Sequence, residues 1–305
     1  MPTIADIEIQ RNAPIPTWFG IGGGADRFAR ISTVDELRRC LEIDPELRIL
    51  GDGANLLVAD EGVGELVVAL GGDFTNVEYD EANCRITAGA GANLPKIILE
   101  AVRRGMGGLE GLGGIPASIG GATIMNAGGA FGQFCDVVYK VHAMDRQGVP
   151  ITFSRNAVNF SYRHSGLNDL IITGVELKLK RDDPAKLRAK LREVMDFKKK
   201  SQPLGDNSAG CIFKNPTLKQ PIPHVGPAGA RVSAGMLIDL AGCKGMTVGS
   251  AKVSERHGNF LTATRSGEGK AADMLRLIDQ VRDAVAQKFG VVLETEVVIW
   301  RRTSR

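Results

Sequence analysis

The segment that decides the fold covers residues 105–132 and reads GMGGLEGLGGIPASIGGATIMNAGGAFG. No repeat period fits it, and its apolar residues are too interspersed for a low-complexity segment. A second Gly-rich segment, GDGANLL, covers residues 51–57. Such segments let backbone N–H groups approach a ligand and bind phosphate. Neither segment matches the GxxxxGK[ST] phosphate loop, so turns without a ligand remain the alternative at this point.

The residues around these segments predict a chain of mixed α and β structure. Helices are predicted at residues 33–42, 93–104, 183–200, 234–241 and 270–289, from apolar residues at helical spacing and from capping residues. Strands are predicted at residues 47–50, 66–70, 85–90, 137–144, 151–153, 170–178, 248–253, 259–263 and 292–299. Residues 201–227 are rich in Pro and Gly and predict a boundary before a compact C-terminal α+β domain.

Composition indicates a globular protein and excludes several classes. The 305 residues include 38 Lys and Arg against 35 Asp and Glu, a net charge of +3 that is too weak to indicate nucleic acid binding. Hydrophobic residues make up 43% of the chain, which excludes general disorder. Glycine stands out with 38 residues, about 12% against a usual value of roughly 7%. Without a signal peptide or a long apolar run, a cytoplasmic protein with no membrane association is expected.

The cysteines indicate neither a metal site nor a disulfide framework. They number five and lie far apart, at Cys40, Cys84, Cys135, Cys211 and Cys243. Because no CxxC pair occurs, a structural zinc site is not expected, and no metal is assigned.

Three polar positions are candidates for chemistry, each with a plain alternative. Arg163 follows Tyr162, and the pair could clamp an anion or form a surface ion pair. Cys211 lies between a glycine and an apolar pair, where an inert buried thiol is the commoner case. Glu296 lies on the last predicted strand, on a face that solvent could cover. Spacing alone does not bring the three together.

Taken in order, several motifs closely resemble one family over nearly the whole chain. They are TWFGIGG at 17–23, LGDGANLL at 50–57, GLGGIPASIGGA at 111–122, MNAG at 125–128, YR at 162–163, SAGCIFKNP at 208–216, SAG at 233–235, GCKG at 242–245 and the strand of Glu296. This set resembles the UDP-N-acetylenolpyruvoylglucosamine reductases (UDP-N-acetylmuramate dehydrogenases, the MurB family), flavoenzymes of bacterial peptidoglycan precursor synthesis. The short span from Arg163 to Cys211 is similar to the family's type II form.

The resemblance implies an α+β fold of the vanillyl-alcohol-oxidase or PCMH type. Residues 1–76 and 77–185 would form two α+β subdomains that bind FAD, with the C-terminal strand returning to the first. Residues 202–305 would form an α+β substrate-binding domain.

The resemblance also assigns residues to roles. Arg163, Cys211 and Glu296 match the family's catalytic positions. Residues that match its two FAD loops, whose N–H groups would meet pyrophosphate oxygens, are Gly51, Asp52, Gly53, Ala54, Asn55, Leu56, Gly113, Gly114, Ile115, Pro116, Ala117, Ser118, Gly120, Gly121, Ala122 and Asn126. Residues expected to contact the substrate are Tyr162, Lys214, Asn215 and Lys244.

The implied reaction reduces UDP-N-acetylglucosamine enolpyruvate to UDP-N-acetylmuramate, with NADPH as reductant and a hydride delivered from flavin N5. The proton would come from Cys211, where the commoner family pattern has serine. A thiol has a reference pKa near 8.5, so it is a competent general acid at pH 7 but is also open to oxidation. Ala54 and Ala117 are smaller departures, at positions where serine and glycine are usual.

Two other functions are weighed against this one. The first is another flavin oxidoreductase of the same fold that oxidises an alcohol or hydroxy acid, often with covalently attached flavin. The histidines, at positions 142, 164, 224 and 257, lie outside both Gly-rich segments, which favours non-covalent FAD. The second is a non-catalytic protein that binds a nucleotide sugar or a dinucleotide. For the reductase, a monomer is expected.

Overall fold

A computed structural model describes residues 7–264 and 269–303. The chain divides into two compact units. Unit 1 contains the chain up to Ala13, Ala25–Asp52 and Glu65–Lys198. Unit 2 contains Pro14–Gly24, Gly53–Gly64 and the chain from Lys199 onward. Each unit has its own hydrophobic core.

The described residues form six α-helices and eighteen strands. The helices are α1 (Val34–Ile43), α2 (Leu94–Arg103), α3 (Ile119–Ile124), α4 (Pro184–Ser201), α5 (Ala234–Leu240) and α6 (Ala271–Phe289). The strands are β1 (Ile9–Ala13), β2 (Ala25–Ile31), β3 (Arg48–Leu50), β4 (Leu56–Val58), β5 (Val63–Leu70), β6 (Val77–Asp80), β7 (Arg85–Gly89), β8 (Met106–Gly107), β9 (Gly128–Gly129), β10 (Gly132–Gln133), β11 (Val138–Met144), β12 (Pro150–Ser154), β13 (Ile171–Lys178), β14 (Lys180–Arg181), β15 (Thr247–Val248), β16 (Ala251–Val253), β17 (Leu261–Ala263) and β18 (Val298–Trp300).

Two larger sheets form the framework of unit 1. One has the strand order β1-β2-β5-β3, with β3 and β5 parallel. The other is antiparallel, with the order β12-β11-β13-β7-β6. Helix α2 packs on the core through Leu94, Ile97 and Ile98, a spacing that places these side chains on one helical face.

Unit 2 is smaller and joins segments that are far apart in sequence. Its antiparallel sheet has the order β15-β16-β17, and β18 pairs in parallel with β4. Helix α6 buries Leu277, Val281 and Val285 in the core of the unit. The carboxylate of Asp60 accepts the amides of Ala271 at 2.8 Å and Ala272 at 2.9 Å, and so caps the start of α6.

The helices agree best with the sequence analysis, because their end signals are local. Thr33 forms a capping box with Glu36 at the start of α1, and Asn93 caps α2. The strand predicted at 248–253 is instead a hairpin of β15 and β16, since Gly249 adopts a φ of +53° and turns the chain. The strand predicted at 292–299 contributes only its last two residues to β18, which continues to Trp300. Strands β1 and β2 and helix α3 have no counterpart among the sequence predictions.

Across the described ranges, none of the helices is long and apolar enough to span a bilayer. The same residues contain no group of three or more His, Cys, Asp or Glu side chains placed to hold a metal ion. The five cysteines all lie in the described residues and form no disulfide.

Candidate active site

The two Gly-rich segments meet in unit 1, at Gly51 and Ser118. A Cβ atom on Gly51 would lie 2.7 Å from Ser118 Oγ, so a larger residue there would have to displace the hydroxyl that accepts Gly121 N. Asn93 forms a β-bridge with Ser118 and donates through Nδ2 to Asp52 Oδ2 at 3.3 Å. Although Asp52 is exposed at the surface, protein atoms crowded around its carboxylate raise its pKa, and the hydrogen bond from Asn93 opposes that rise. The start of the first segment is therefore held against the second.

Several backbone amides of the second Gly-rich segment donate hydrogen bonds to protein groups. Ile119 N donates to Ala92 O at 2.9 Å and Gly120 N donates to Ala90 O at 2.7 Å. Gly121 N donates to Ser118 Oγ at 3.2 Å. By contrast, within residues 7–264 and 269–303 the amides of residues 114, 117 and 118 make no hydrogen bond to a protein acceptor. In this segment, the amides that can donate to a phosphate therefore precede Ile119. The FAD contacts expected from the sequence extend further, to Ala122 and Asn126.

Helix α4 packs directly on the glycines of this segment. A Cβ atom on Gly113 would lie 2.4 Å from Leu191 Cδ1. Gly114 adopts a φ of +71°, and a Cβ atom there would lie 2.9 Å from Met195 Sδ. The left-handed backbone at residue 114 therefore favours glycine, and a side chain at Gly113 would have to displace Leu191 of α4.

Asn126 ends this region and is buried, with 1% of its surface exposed. Its Nδ2 donates to Ser161 O at 2.9 Å and to Gln133 Oε1 at 3.2 Å. Its Oδ1 accepts the amide of Cys135 at 3.0 Å. The carboxamide predicted as a cofactor contact is therefore engaged with protein groups, and it fixes the carbonyl of Ser161.

Ser161 begins the turn that carries Arg163. Ser161 N donates to His164 O at 2.9 Å, and His164 N donates back to Ser161 O at 3.2 Å. Arg163 lies inside this turn in the left-handed region, with a φ of 57°. A non-glycine residue adopts that conformation at a cost of about 1–3 kcal/mol, which the surrounding structure must offset. The guanidinium carbon of Arg163 lies 5.1 Å from the ring centroid of Tyr162, within cation–π range.

In unit 2, the segments of Cys211 and Glu296 lie side by side. Glu296 N donates to the carbonyl of Ile212, next to Cys211, at 2.7 Å. Lys214 N donates to Glu294 O at 2.9 Å and continues the pairing. The fold thus brings together two of the three predicted catalytic residues through backbone contacts inside this unit.

The end of the first Gly-rich segment also belongs to unit 2, where Asn55 holds the Glu296 strand. Asn55 Nδ2 donates to Glu296 O at 3.1 Å, and Val298 N donates to Asn55 O at 3.0 Å. Gly53 adopts a φ of +64°, and a Cβ atom there would lie 2.1 Å from Pro16 O. Beside it, the buried Thr17 Oγ1 has no hydrogen-bond partner among the described residues.

These features fit a dinucleotide cofactor. In unit 1, backbone closely packed at glycines and amides at positions 117 and 118 that make no hydrogen bond to the protein in the described ranges suit a ligand rich in acceptor atoms.

The predicted substrate contacts are partly engaged with neighbours in unit 2. Lys214 Nζ lies 3.5 Å from Glu294 Oε2, and Lys244 Nζ lies 2.6 Å from Asp239 Oδ2. Asn215 Oδ1 accepts the amide of Ala234 at 3.0 Å, near the start of α5. Both ion pairs are partly exposed, so they are weak and an anionic ligand can compete for the ammonium groups.

Asn259 is a residue that the sequence analysis did not single out. It is 2% exposed and hydrogen bonds to the peptide of Phe213. The only signal in the sequence was a polar residue at the start of an apolar predicted strand.

Comparison with known proteins agrees with this geometry. Residues 25–154 match a family model described as FAD binding domain. Residues 202–300 match the model of the C-terminal domain of UDP-N-acetylenolpyruvoylglucosamine reductase. The fold and the site thus define a FAD-dependent oxidoreductase.

Relatives of similar length narrow this class. UDP-N-acetylenolpyruvoylglucosamine reductase 2 of Symbiobacterium thermophilum is 37% identical over 300 residues, covering 96% of this chain and 92% of the relative. The reductase of Thermus thermophilus is 39% identical over 285 residues, covering 93% and 96%. The crystal structure of the reductase (MurB) from Thermus caldophilus superposes with a TM-score of 0.81 at 38% identity, covering 97% of this chain and 100% of that one.

The chain belongs to the UDP-N-acetylenolpyruvoylglucosamine reductase family. The predicted family, fold class, FAD cofactor and oxidoreductase activity are confirmed, as is the role in peptidoglycan synthesis that belongs to this family. Enzymes of the family use NADPH as the reductant.

Proposed function

We propose that this protein reduces UDP-N-acetylglucosamine enolpyruvate to UDP-N-acetylmuramate, with Cys211 as the proton donor. The observation that carries the proposal is the hydrogen bond from Glu296 N to Ile212 O, 2.7 Å long. It aligns the segment of Glu296 with that of Cys211, and so supports a shared site for the two side chains. Family membership supports the substrate, and the substrate contacts proposed are Tyr162, Lys214, Asn215 and Lys244.

When bound, FAD supplies the redox chemistry, a hydride taken from NADPH and passed from N5 to the terminal enol carbon of the substrate. The chain's own residues manage charge and protons. The Arg163 guanidinium would stabilise negative charge that develops toward the substrate carboxylate, and such a donor is typically worth about 3–4 kcal/mol. Glu296 can donate a hydrogen bond to the same charge only in its protonated form.

Cys211 would complete the reduction by protonating the carbon next to the one that receives the hydride. The S–H bond breaks, a C–H bond forms, and the thiolate left behind regains its proton from solvent before the next turnover. This role requires the proton to be on the sulfur of Cys211 when each turnover begins.

The two Gly-rich segments would hold FAD without a covalent bond. The amides of Ala117 and Ser118 are the proposed donors to pyrophosphate oxygens, because those of Ile119 and Gly120 are bonded to the protein. Asn55 and Asn126 would act by positioning, since their side-chain amides hold the backbone of Glu296 and Ser161.

The same proposal covers the domain organisation and the cellular location of the protein. Residues 1–76 and 77–185 would contribute the two FAD-binding subdomains, and residues 202–305 the substrate domain. We expect a monomer that acts in the cytoplasm on a small-molecule substrate. Oxidation of an alcohol or hydroxy acid is the alternative activity.

An anaerobic spectroscopic titration tests the proposal. The purified protein should be yellow, bleach with NADPH, and regain its colour when the enolpyruvyl sugar nucleotide is added. Acid precipitation should leave the flavin in the supernatant. Colour that returns only with oxygen would exclude the proposed substrate, and a protein that takes up no added FAD would exclude the whole assignment.

A further inference from the structure

Asn259 makes three hydrogen bonds with the two residues that follow Cys211. Its side-chain Nδ2 donates to Phe213 O at 2.8 Å, and its Oδ1 accepts Phe213 N at 2.9 Å. Its own backbone carbonyl accepts Ile212 N at 2.9 Å. All of these groups lie within unit 2.

The carboxamide of Asn259 pairs with Phe213 as a neighbouring strand would. Asparagine offers a donor and an acceptor on one short side chain, whereas aspartate offers acceptors only. Because Asn259 and Phe213 are both buried, no water replaces a lost partner cheaply. The position therefore selects asparagine for its two-sided hydrogen bonding.

The contacts of Asn259 fix the peptide units on either side of Ile212. The carbonyl of Ile212 accepts Glu296 N, and Cys211 forms a β-bridge with Phe260. Asn259 thus braces the point at which the segments of Cys211 and Glu296 meet.

The ring of His257 accepts a hydrogen bond from the backbone of Asn259. The amide of Asn259 donates to His257 Nδ1 at 3.2 Å. The His257 ring packs edge-on against Phe260, with 4.9 Å between ring centroids. The hydrogen bond to His257 holds the backbone of Asn259, while the bonds to Phe213 hold its side chain.

We propose that Asn259 is a positioning residue for proton delivery by Cys211. This inference rests on the proposed role of Cys211 as proton donor. Asn259 acts through the backbone of Ile212 and Phe213, holding the thiol at the distance and angle that protonation of carbon requires. Misplacement of a reacting group by about 1 Å can cost on the order of a hundredfold in rate.

A double-mutant cycle tests this role, with the two half-reactions followed separately by stopped flow. The single variants are Asn259→Asp and Cys211→Ala, and the double variant combines them. Asn259→Ser, which keeps a shorter donor and acceptor, is the second variant should the aspartate disturb folding. Asp60→Ala is the matched control, because it also removes two side-chain bonds to backbone amides in unit 2.

Asn259→Asp should slow reoxidation of the flavin by substrate about tenfold or more and leave its reduction by NADPH within about twofold. In the Cys211→Ala background the same change should cost less than about twofold, since the group it positions is gone. Asp60→Ala should leave both half-reactions within about twofold.

Three outcomes would overturn the proposal. Equal slowing of both half-reactions by Asn259→Asp would indicate general damage. A full tenfold loss retained in the Cys211→Ala background would show that Asn259 acts on something else. Normal reoxidation in Cys211→Ala alone would remove the proton-donor role itself, and that single variant identifies this failure.

Discussion

The side-chain amide of Asn55 donates to the backbone carbonyl of Glu296 at 3.1 Å, across 241 residues of sequence. The backbone carbonyl of Asn55 also accepts Val298 N at 3.0 Å. A residue of the first Gly-rich segment thus holds the strand that carries a proposed catalytic residue. Cofactor binding and the placement of Glu296 are therefore expected to depend on the same contact.

Replacing Asn55 by aspartate tests this contact. Asn55→Asp keeps the shape of the side chain but turns a carboxylate oxygen toward the Glu296 carbonyl, where the amide donated. The free energy of unfolding should fall by about 1–3 kcal/mol, measured by urea denaturation of the FAD-free protein.

Asp52→Asn is the matched control for Asn55→Asp in the same segment. Asp52 is exposed and accepts one 3.3 Å hydrogen bond from Asn93, so its replacement should change stability by less than about 0.5 kcal/mol. Equal losses in the two variants would contradict the special role of Asn55.

The turn of Arg163 depends on Asn126. Asn126→Asp keeps the acceptor for Cys135 N but removes the donor to Ser161 O at a site that is 1% exposed. Turnover should fall at least tenfold and the unfolding free energy by about 1–3 kcal/mol, because the turn that places Arg163 loses its anchor. The control is Gln133→Ala, which removes an exposed partner of Asn126 and should lower the unfolding free energy by less than about 1 kcal/mol. Unchanged turnover in Asn126→Asp would contradict the role of Asn126 in placing Arg163.

The thiols should differ widely in reactivity. Burial, with the charge of Glu36 adding to it, raises the pKa of Cys40 to about 11, and burial also raises the pKa of Cys243. At pH 7.5 the thiolate fraction of Cys40 is then roughly a hundredfold or more below that of an ordinary thiol. Iodoacetamide followed by peptide mass mapping should label the partly exposed Cys84 and Cys211 first. Early labelling of Cys40 in folded protein would contradict this order.

His257 should make stability depend on pH. Burial lowers its pKa in the folded state, and the positive charge of Lys244 lowers it further. As the pH falls below about 6.5, the unfolded chain takes up a proton that the folded protein does not, so the free energy of unfolding decreases until the folded-state pKa is passed.

Urea unfolding at pH 7.5 and 5.5 checks the effect of His257. The loss of stability between the two pH values should be smaller in His257→Gln than in the wild type. His224→Gln, at an exposed position, is the control. An identical pH dependence in wild type and His257→Gln would exclude the contribution of His257.

Local signals in the sequence predicted five of the six helices of the described residues, all but α3. The capping residues Thr33 and Asn93 lie next to the helices they start, so a short window of sequence contains the whole signal. Strands β1 and β2 were missed because polar residues interrupt them, and β1 is largely exposed. Their pairing with each other, which no local pattern encodes, stabilises them.

The sequence identified residues of the candidate site but not how they are arranged in space. The motifs around Cys211 and Glu296 identified both, yet the hydrogen bond between Glu296 and Ile212 joins distant parts of the chain. Asn259 was missed for the same reason, because its bonds to Phe213 exist only in the folded protein.

The role of Cys211 is the central claim, and single-turnover kinetics of its variants test it most directly. Under anaerobic conditions, Cys211→Ala should be reduced by NADPH within about twofold of the wild-type rate, while reoxidation by the enolpyruvyl sugar nucleotide should slow by roughly 10²–10⁴-fold. Cys211→Ser should retain much of the reoxidation rate, because a hydroxyl can take the same place. Equal slowing of both half-reactions in Cys211→Ala, or reoxidation at the wild-type rate, would contradict the assignment of Cys211 as the proton donor.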